Sequence, residues 1–252
     1  MPELTTLLFD VDGTLADTER NAHRVAFNET FATHHLTWYW SETLYGELLA
    51  VAGGKERLKF YLTQYHPPTP PLADIETFIA LLYRDKTQCY LEIVRQGHLP
   101  LRPGIQRLLM EARAAGLQLG IVTTTNHDNV IVLLEHSLSS QAVEWFAVIA
   151  AGDVVTAKKP APDIYHYALA KLGVTANECL AIEDSDIGLR AALGAGISTV
   201  ITLNDYSRHQ DFTGAVLVVD HLGEPDLPFT IINGEVGQAR WVDVPLLKRL
   251  LA

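Results

Sequence analysis

The 252-residue sequence predicts an α/β fold, a doubly wound (Rossmann-like) parallel sheet core with an inserted helical cap domain. Three observations predict it: short apolar runs that suit buried strands, helical patterns that alternate with them, and a long helical stretch that interrupts the alternation after the first strand.

The apolar runs are 4–9, 117–122, 145–150, 180–182, 199–201 and 216–219. They are short and continuous, as expected of parallel strands covered on both faces. Between them, 105–115 carries apolar residues at helical spacing and stops at Gly116. The segment 163–172 follows Pro162 and stops at Gly173, with proline at the start and glycine past the end, and 187–193 stops at Gly194. Such alternation argues for strands joined by helical crossovers. A crossover needs about 30 residues. The helix at 105–115 supplies the first one, so residues 17–97 are surplus to the sheet. They read as helices at about 19–33, 42–50, 54–65 and 73–96, with the stiff connector His66-Pro67-Pro68-Thr69-Pro70-Pro71 between the last two. The expected division is an α/β core of 1–16 and 98–252 and a helical cap of 17–97. In the tail, 230–233 and 240–242 read as a short hairpin around 234–237, and 244–251 as a final helix.

Apolar residues make up 48% of the chain and charged residues 19%, which suits a packed core rather than disorder. The 30 acidic and 19 basic residues give a net charge of −11. That disfavours a nucleic-acid partner, which needs clustered Lys and Arg, and still allows a small anion held by local cations. Cys89 and Cys179 form no CxxC pair and read as ordinary thiols in a reducing setting. No apolar run reaches the ~18 residues that span a bilayer. No basic segment leading into an apolar stretch marks a signal peptide. The expectation is a cytoplasmic protein with neither membrane nor nucleic acid as partner, a monomer or weak oligomer.

Chemistry concentrates at the predicted strand ends. Asp10 and Asp12 follow the first strand, and in extended backbone residues two apart point to the same side. Gly13 permits a sharp exit from the strand. Alternating aspartates also occur in calcium loops, but those require a bidentate Glu at the twelfth position. Counted from Asp10, that position is Asn21, which excludes the calcium loop. Thr123-Thr124-Thr125-Asn126 follows the second strand, where hydroxyls and N–H groups suit a phosphoryl oxygen or simply cap a helix. Lys158-Lys159-Pro160 offers either a charge between a carboxylate and a phosphate or a solvated loop. Glu183-Asp184-Ser185-Asp186 ends a buried strand, where acids are costly unless paired or bound to metal, although Ser185 or Asp186 could be an N-cap. All four segments lie on the sheet edge where open α/β folds bind ligands.

The strings DVDGT (10–14), TTTN (123–126), KKP (158–160) and EDSDIG (183–188) resemble the four motifs of the haloacid dehalogenase superfamily. The likeness runs to about residue 220, and the helical insert resembles that superfamily's cap. Further strings, DTE (17–19), AFNETF (26–31), GELL (46–49), GGKERL (53–58) and RPG (102–104), resemble the CbbY group. That group dephosphorylates xylulose-1,5-bisphosphate, an inhibitory by-product of Rubisco.

The resemblance implies that Asp10 attacks phosphorus and that Asp12 serves as general acid and then base. It implies magnesium held by Asp10, the backbone carbonyl of Asp12 and Asp184, with Glu183 as a direct ligand or behind it. An oxygen-only set favours magnesium over zinc. Thr123, the Thr124 N–H and Lys159 would stabilise the phosphoryl charge, with Thr125 and Asn126 beside them. Lys159 directly precedes the proline, as in the family motif, and Lys158 is expected to be solvated. In the cap, the N–H groups of Gly53 and Gly54 with Lys55 and Arg57 would hold a second phosphate. Glu19 and Tyr45 would contact sugar hydroxyls, and His23 and Arg24 either line the site or pack. Two rival readings remain. Sugar phosphomutases of this fold place a histidine early in the cap. Aligning on Thr18-Glu19 puts Ala22 there, with His23 one step off, which favours hydrolysis. A non-catalytic binding protein would be expected to lack Asp10, Asp12 or Asp184, and all are present.

Overall fold

The computed structural model describes residues 3–71, 74–97 and 99–251. Its strands are β1 Thr6–Phe9, β2 Gln118–Thr123, β3 Val148–Ala151, β4 Cys179–Glu183, β5 Ser198–Thr202, β6 Leu217–Val219 and β7 Ile231–Asn233. They form one sheet in the order β3-β2-β1-β4-β5-β6-β7. All neighbours are parallel except β6 and β7. The helices are α1 Arg24–Thr33, α2 Glu42–Leu48, α3 Gly54–Tyr65, α4 Ile75–Arg95, α5 Ile105–Ala114, α6 His127–Ser137, α7 Asp163–Leu172, α8 Asp186–Gly194 and α9 Val244–Leu251.

Strand alternation divides the core into two layers. Leu7 and Phe9 face α5, α6 and α9, while Leu8 faces α7 and α8. Chain order reverses between β1 and β4, and this switch point opens a crevice at the carboxyl ends of those strands. Asp10 follows β1 and Asp184 follows β4, so both sit at its mouth.

The helices α1–α4 are inserted between β1 and α5 and build a second core of their own. Phe27, Phe31, Trp38, Trp40, Tyr45 and Tyr61 pack edge to face or tilted, with ring centroids such as Phe27–Trp40 at 4.5 Å. The chain leaves and re-enters the sheet region side by side, since Ala16 bridges Leu101 and the Arg102 N–H donates to the Leu15 carbonyl at 2.8 Å. The buried Arg102 guanidinium fastens this junction to the carbonyls of Gly13 (2.5 Å), Thr202 (3.1 Å), Asp220 (2.9 Å) and Leu203.

The structure departs from the sequence reading in two places. The expected helix 19–33 is not uniform, because Glu19–His23 is a π-helical turn that leads into α1. The tail hairpin is also corrected. Ile231–Asn233 pairs with β6 instead, with Asn233 opposite Val218 and Ile231 opposite Val219. Residues 240–242 contribute only single bonds, such as Phe229 N–H to the Arg240 carbonyl at 3.0 Å. An isolated two-stranded hairpin is marginal, whereas β6 presents backbone groups that need partners. The expected start of the fourth cap helix at 73, the cap–core boundary residue 98 and the chain ends 1–2 and 252 lie outside the described residues. Among the described residues, no helix is long and apolar enough to cross a membrane.

Candidate active site

The Asp10 N–H still donates to the Ile182 carbonyl at 3.0 Å, so the sheet's pairing reaches one residue past β1 and fixes where this carboxylate stands. Gly13 then turns with φ of +86°, and a Cβ there would collide with the Asp184 carboxylate and the Asn204 amide. Only glycine satisfies both the left-handed turn and the close approach.

Lys159 is the cation of the core half. Its Nζ donates to Asp10 Oδ1 (2.8 Å), Glu183 Oε1 (2.6 Å) and the Val122 carbonyl (2.8 Å), which uses all three of its protons. Tyr165 donates a further bond to Glu183 Oε1, while Glu183 Oε2 is buried without a partner. Gly188 has to be glycine because a Cβ would collide with that orphaned oxygen. Burial alone would lower the Lys159 pKa, but Asp10 and Glu183 hold it above the ordinary lysine range. Burial drives Asp10 well above the carboxylate range, with Lys159 opposing and the neighbouring acids adding to the rise. Burial, followed by the charge of Glu183, pushes Asp184 up to about 7.

Asp10, Glu183 and Asp184 bring carboxylate oxygens within 4.8 Å of one another. Such an all-oxygen set, with excess negative charge and an unpartnered oxygen, fits a hard divalent cation. The Asp12 carboxylate stands outside this group, leaving only its backbone carbonyl for the expected ligand set. Glu183 Oε1 is taken by Lys159 and Tyr165, which suits a supporting role behind Asp10 and Asp184.

Sequence reasoning missed Asn204. Its side-chain carbonyl accepts from the N–H groups of Tyr206 (2.9 Å) and Ser207 (3.2 Å), so its amide NH2 is left to donate to Asp184 Oδ2 at 2.5 Å. The available signal was its position just past β5, one more strand end on the same edge.

Asp12 turns toward the cap. Its Oδ1 accepts from the Thr18 hydroxyl at 2.5 Å and pairs with His23 Nε2 at 2.9 Å. His23 Nδ1 meets Lys86 Nζ at 2.6 Å, and its ring stacks on Tyr90 with centroids 4.2 Å apart. Burial would raise the Asp12 pKa, but the charge and hydrogen bond of His23, with help from Thr18 and Lys86, bring it down to about 2. Burial lowers Lys86 to about 8. The alignment on Thr18-Glu19 puts Ala22 at the position of the mutase histidine, with His23 one step off, but it is His23 that reaches the Asp12 carboxylate. The π-helical turn adds one residue and brings His23 there, so the argument that alignment supplied against a mutase falls.

A second cap group joins Glu19, Tyr45 and Arg57. The Tyr45 hydroxyl donates to Glu19, and Arg57 Nη1 donates to that hydroxyl at 2.8 Å. Tyr45 has no exposed surface, so it supports Glu19 and Arg57 from behind, a correction to its expected contact with sugar. Arg57 and Glu19 line a small cavity of about 90 Å³ together with Asp10, Asp12, Thr123 and Lys159. Lys55 diverges from Arg57. It lines an adjoining cleft of about 690 Å³ and reaches Asp153 at 3.2 Å. Thr124 lines both spaces.

Three expectations about neighbouring loops also change. Lys158 is not simply solvated, since it pairs with Asp153 at 2.7 Å and donates to the Gly152 carbonyl. The Thr125 hydroxyl is occupied by the Asn129 amide at 3.1 Å. Asn126 caps α6 by accepting from the Asn129 N–H at 3.1 Å, although it also edges the larger cleft. Asn126 Oδ1 and the acceptor side of the Thr125 hydroxyl therefore hold the loop and the start of α6 together. Arg24 reaches Glu42 at 3.5 Å.

Comparison with known proteins agrees with this geometry. Residues 4–196 match the haloacid dehalogenase-like hydrolases. Protein CbbY of Cupriavidus necator is 47% identical over 246 residues, covering 97% of this chain and 96% of its own. The crystal structure of CbbY from Rhodobacter sphaeroides in complex with phosphate aligns with a TM-score of 0.82 at 44% identity, over 86% of this chain and 94% of that one. A mutant of that protein in complex with xylulose-(1,5)bisphosphate aligns with a TM-score of 0.81 at the same identity and coverage. A β-phosphoglucomutase from Clostridium difficile, 22% identical with a TM-score of 0.70, shares the fold. By sequence and by architecture, this chain belongs to the haloacid dehalogenase-like hydrolases, with the CbbY proteins as its relatives, and is a phosphatase.

Proposed function

We propose that the protein is a magnesium-dependent sugar-phosphate phosphatase that converts xylulose-1,5-bisphosphate to xylulose 5-phosphate through an aspartyl phosphate on Asp10, removing an inhibitor of Rubisco. The observation that carries the reading is the contrast between two neighbouring carboxylates. Asp10 is held by Lys159 at 2.8 Å in the acidic core half, and Asp12 is held by Thr18 and His23 on the cap side. Different environments for two titratable groups assign different roles to them.

Asp10 attacks phosphorus, the bond from phosphorus to the sugar oxygen breaks, and that oxygen takes a proton from Asp12. A water then gives a proton back to Asp12 and attacks phosphorus, which breaks the bond to Asp10 and frees phosphate. Without substrate Asp12 is ionised, the form the second step needs. The negative phosphate arriving beside it raises its pKa, as the first step requires. Lys159 keeps Asp10 oriented, and Thr123 with the Thr124 N–H faces the transferring group. Asp10 and Asp184 would hold magnesium, whose positive charge would offset the repulsion between carboxylate and phosphate. Arg57 and Glu19 read the sugar, and Lys55 with the start of α3 offers charge and N–H groups to the second phosphate. The complex of the R. sphaeroides mutant with xylulose-(1,5)bisphosphate supports this substrate.

The contact of His23 with Asp12 favours a second reading, a sugar phosphomutase. One assay separates the two. Purified protein is given magnesium and a panel that includes xylulose-1,5-bisphosphate and β-glucose-1-phosphate, with Asp10→Asn and chelator controls. The expected result is free phosphate, fastest from the bisphosphate and lost in both controls. An isomerised sugar phosphate without free phosphate would establish the mutase, and activity surviving Asp10→Asn would remove the nucleophile.

A further inference from the structure

Thr18 and His23 grip the same oxygen of Asp12, at 2.5 and 2.9 Å, although they are five residues apart. On an α-helix, residues three or four apart share a face. At 3.6 residues per turn, residues five apart diverge by about 140°. The turn Glu19–His23 is π-helical, with the Arg24 N–H donating to the Glu19 carbonyl. Such a bond spans five residues and brings residues five apart one above the other. Its two ends are fixed independently. Thr18 is tied to the core through Asp12 and through its N–H to the Ala16 carbonyl at 2.8 Å. Beyond the turn, Ala26, Phe27, Thr30 and Phe31 of α1 are buried. Within the turn, Ala22 and His23 face inward, and Asn21 is exposed.

We infer that this π-helical turn is a registering device that lets Thr18 and His23 clamp one oxygen of Asp12 together, leaving the other oxygen as the one that exchanges protons with substrate and water. The inference rests on the phosphatase reading for the role of Asp12 and goes beyond it in assigning the turn and His23 a positioning task. It makes an asymmetric claim about length. With one residue fewer, Thr18 and His23 are four apart, which is α-helical spacing, and the clamp survives. With one residue more they are six apart, neither spacing serves, and the clamp is lost.

The test uses three variants: deletion of Asn21, insertion of one alanine after Asn21, and His23→Ala. Each is assayed on p-nitrophenyl phosphate by stopped flow, and on the sugar-phosphate panel. Nitrophenolate leaves without needing a proton, so its first-turnover burst does not call on Asp12 as acid. Later turnovers require Asp12 to activate water. The deletion variant is expected to keep both phases within about threefold of wild type. The insertion and His23→Ala are expected to keep the burst while subsequent turnover falls about a hundredfold, the scale of general acid–base catalysis. An insertion variant with wild-type turnover, or a deletion variant as impaired as the insertion, overturns the clamp. So does a burst that falls as far as turnover, because that is the mark of general structural damage. The clamp is read on an aryl ester. A wild-type protein inactive on every sugar phosphate would therefore contradict the substrate reading and leave the variant pattern to decide the clamp.

Discussion

In the core half of the site, one lysine joins residues that the sheet already brings together. Lys159 reaches Asp10 past β1, the Val122 carbonyl in β2 and Glu183 at the end of β4. In the cap half, no strand register does this work. Asp12, His23 and Lys86 come from the β1 loop, the π-helical turn and α4, while Glu19, Tyr45 and Arg57 come from that turn, α2 and α3. The core half is thus preorganised by backbone pairing, which suits chemistry on a phosphoryl group common to many substrates. The cap half is assembled by helix packing and is adjustable piece by piece, which suits recognition of the remainder.

The comparison breaks most severely at Lys159. Lys159→Met leaves the acids of the core half without their shared cation. The expected loss is at least about 10³-fold in kcat, with about 3–5 kcal/mol of stability lost in denaturant melts as the buried acids go unpaired. A loss confined to tenfold would mean that the core half does not depend on this charge.

Lys86 tests the cap half through pH. Below about 8 it is protonated in both folded and unfolded chains, so its buried charge is a constant cost. Between 8 and its ordinary value of 10.5 the native chain has released the proton while the unfolded chain still binds it, so stability rises with pH. Relative to Lys86→Met, the native protein is expected to gain roughly 3 kcal/mol across that window, at about 1.4 kcal/mol per unit. Parallel pH slopes in urea melts would contradict this.

Arg57→Met sharpens the division of labour. It is expected to cut kcat/KM for the sugar bisphosphate by about 10- to 100-fold, the value of a hydrogen-bonded buried charge, and to leave the p-nitrophenyl phosphate burst nearly unchanged. Equal losses on both would place Arg57 in the chemistry. The smallest effect belongs to Arg20. It ties Glu42 of the cap and Asp205 of the core at 2.5 and 2.6 Å, but at the surface, where water and salt screen the pair. Arg20→Ala should change kcat/KM less than about threefold.

Legibility in the sequence follows the same divide. β1, β2 and β4, with the acids after β1 and β4 and the threonines after β2, are readable because apolar strands end abruptly in chemistry-bearing residues, and the proline and glycine around α7 mark it to the residue. The alignment on Thr18-Glu19 counts residues at a fixed spacing and left His23 one step off, whereas a single π-helical turn, which leaves no compositional mark, carries His23 to Asp12. Tyr45 looked like a ligand-binding residue, and only three-dimensional packing reveals that Glu19 and Arg57 stand in front of it. Asn204 lay outside every motif, since its role depends on the side-by-side position of β4 and β5. The tail hairpin failed because strand pairing is a choice among partners, and β6 had buried backbone groups to satisfy.

The central claim, that phosphate passes through Asp10, has a direct measurement. The enzyme is mixed with sugar bisphosphate and magnesium, quenched in acid during the first turnover, reduced with borohydride and mapped by mass spectrometry. Reduction of an aspartyl phosphate yields homoserine, so the account predicts homoserine at position 10 and none in Asp10→Asn. Full turnover with no modified aspartate, or with the label on Asp12 or Asp184, would contradict it.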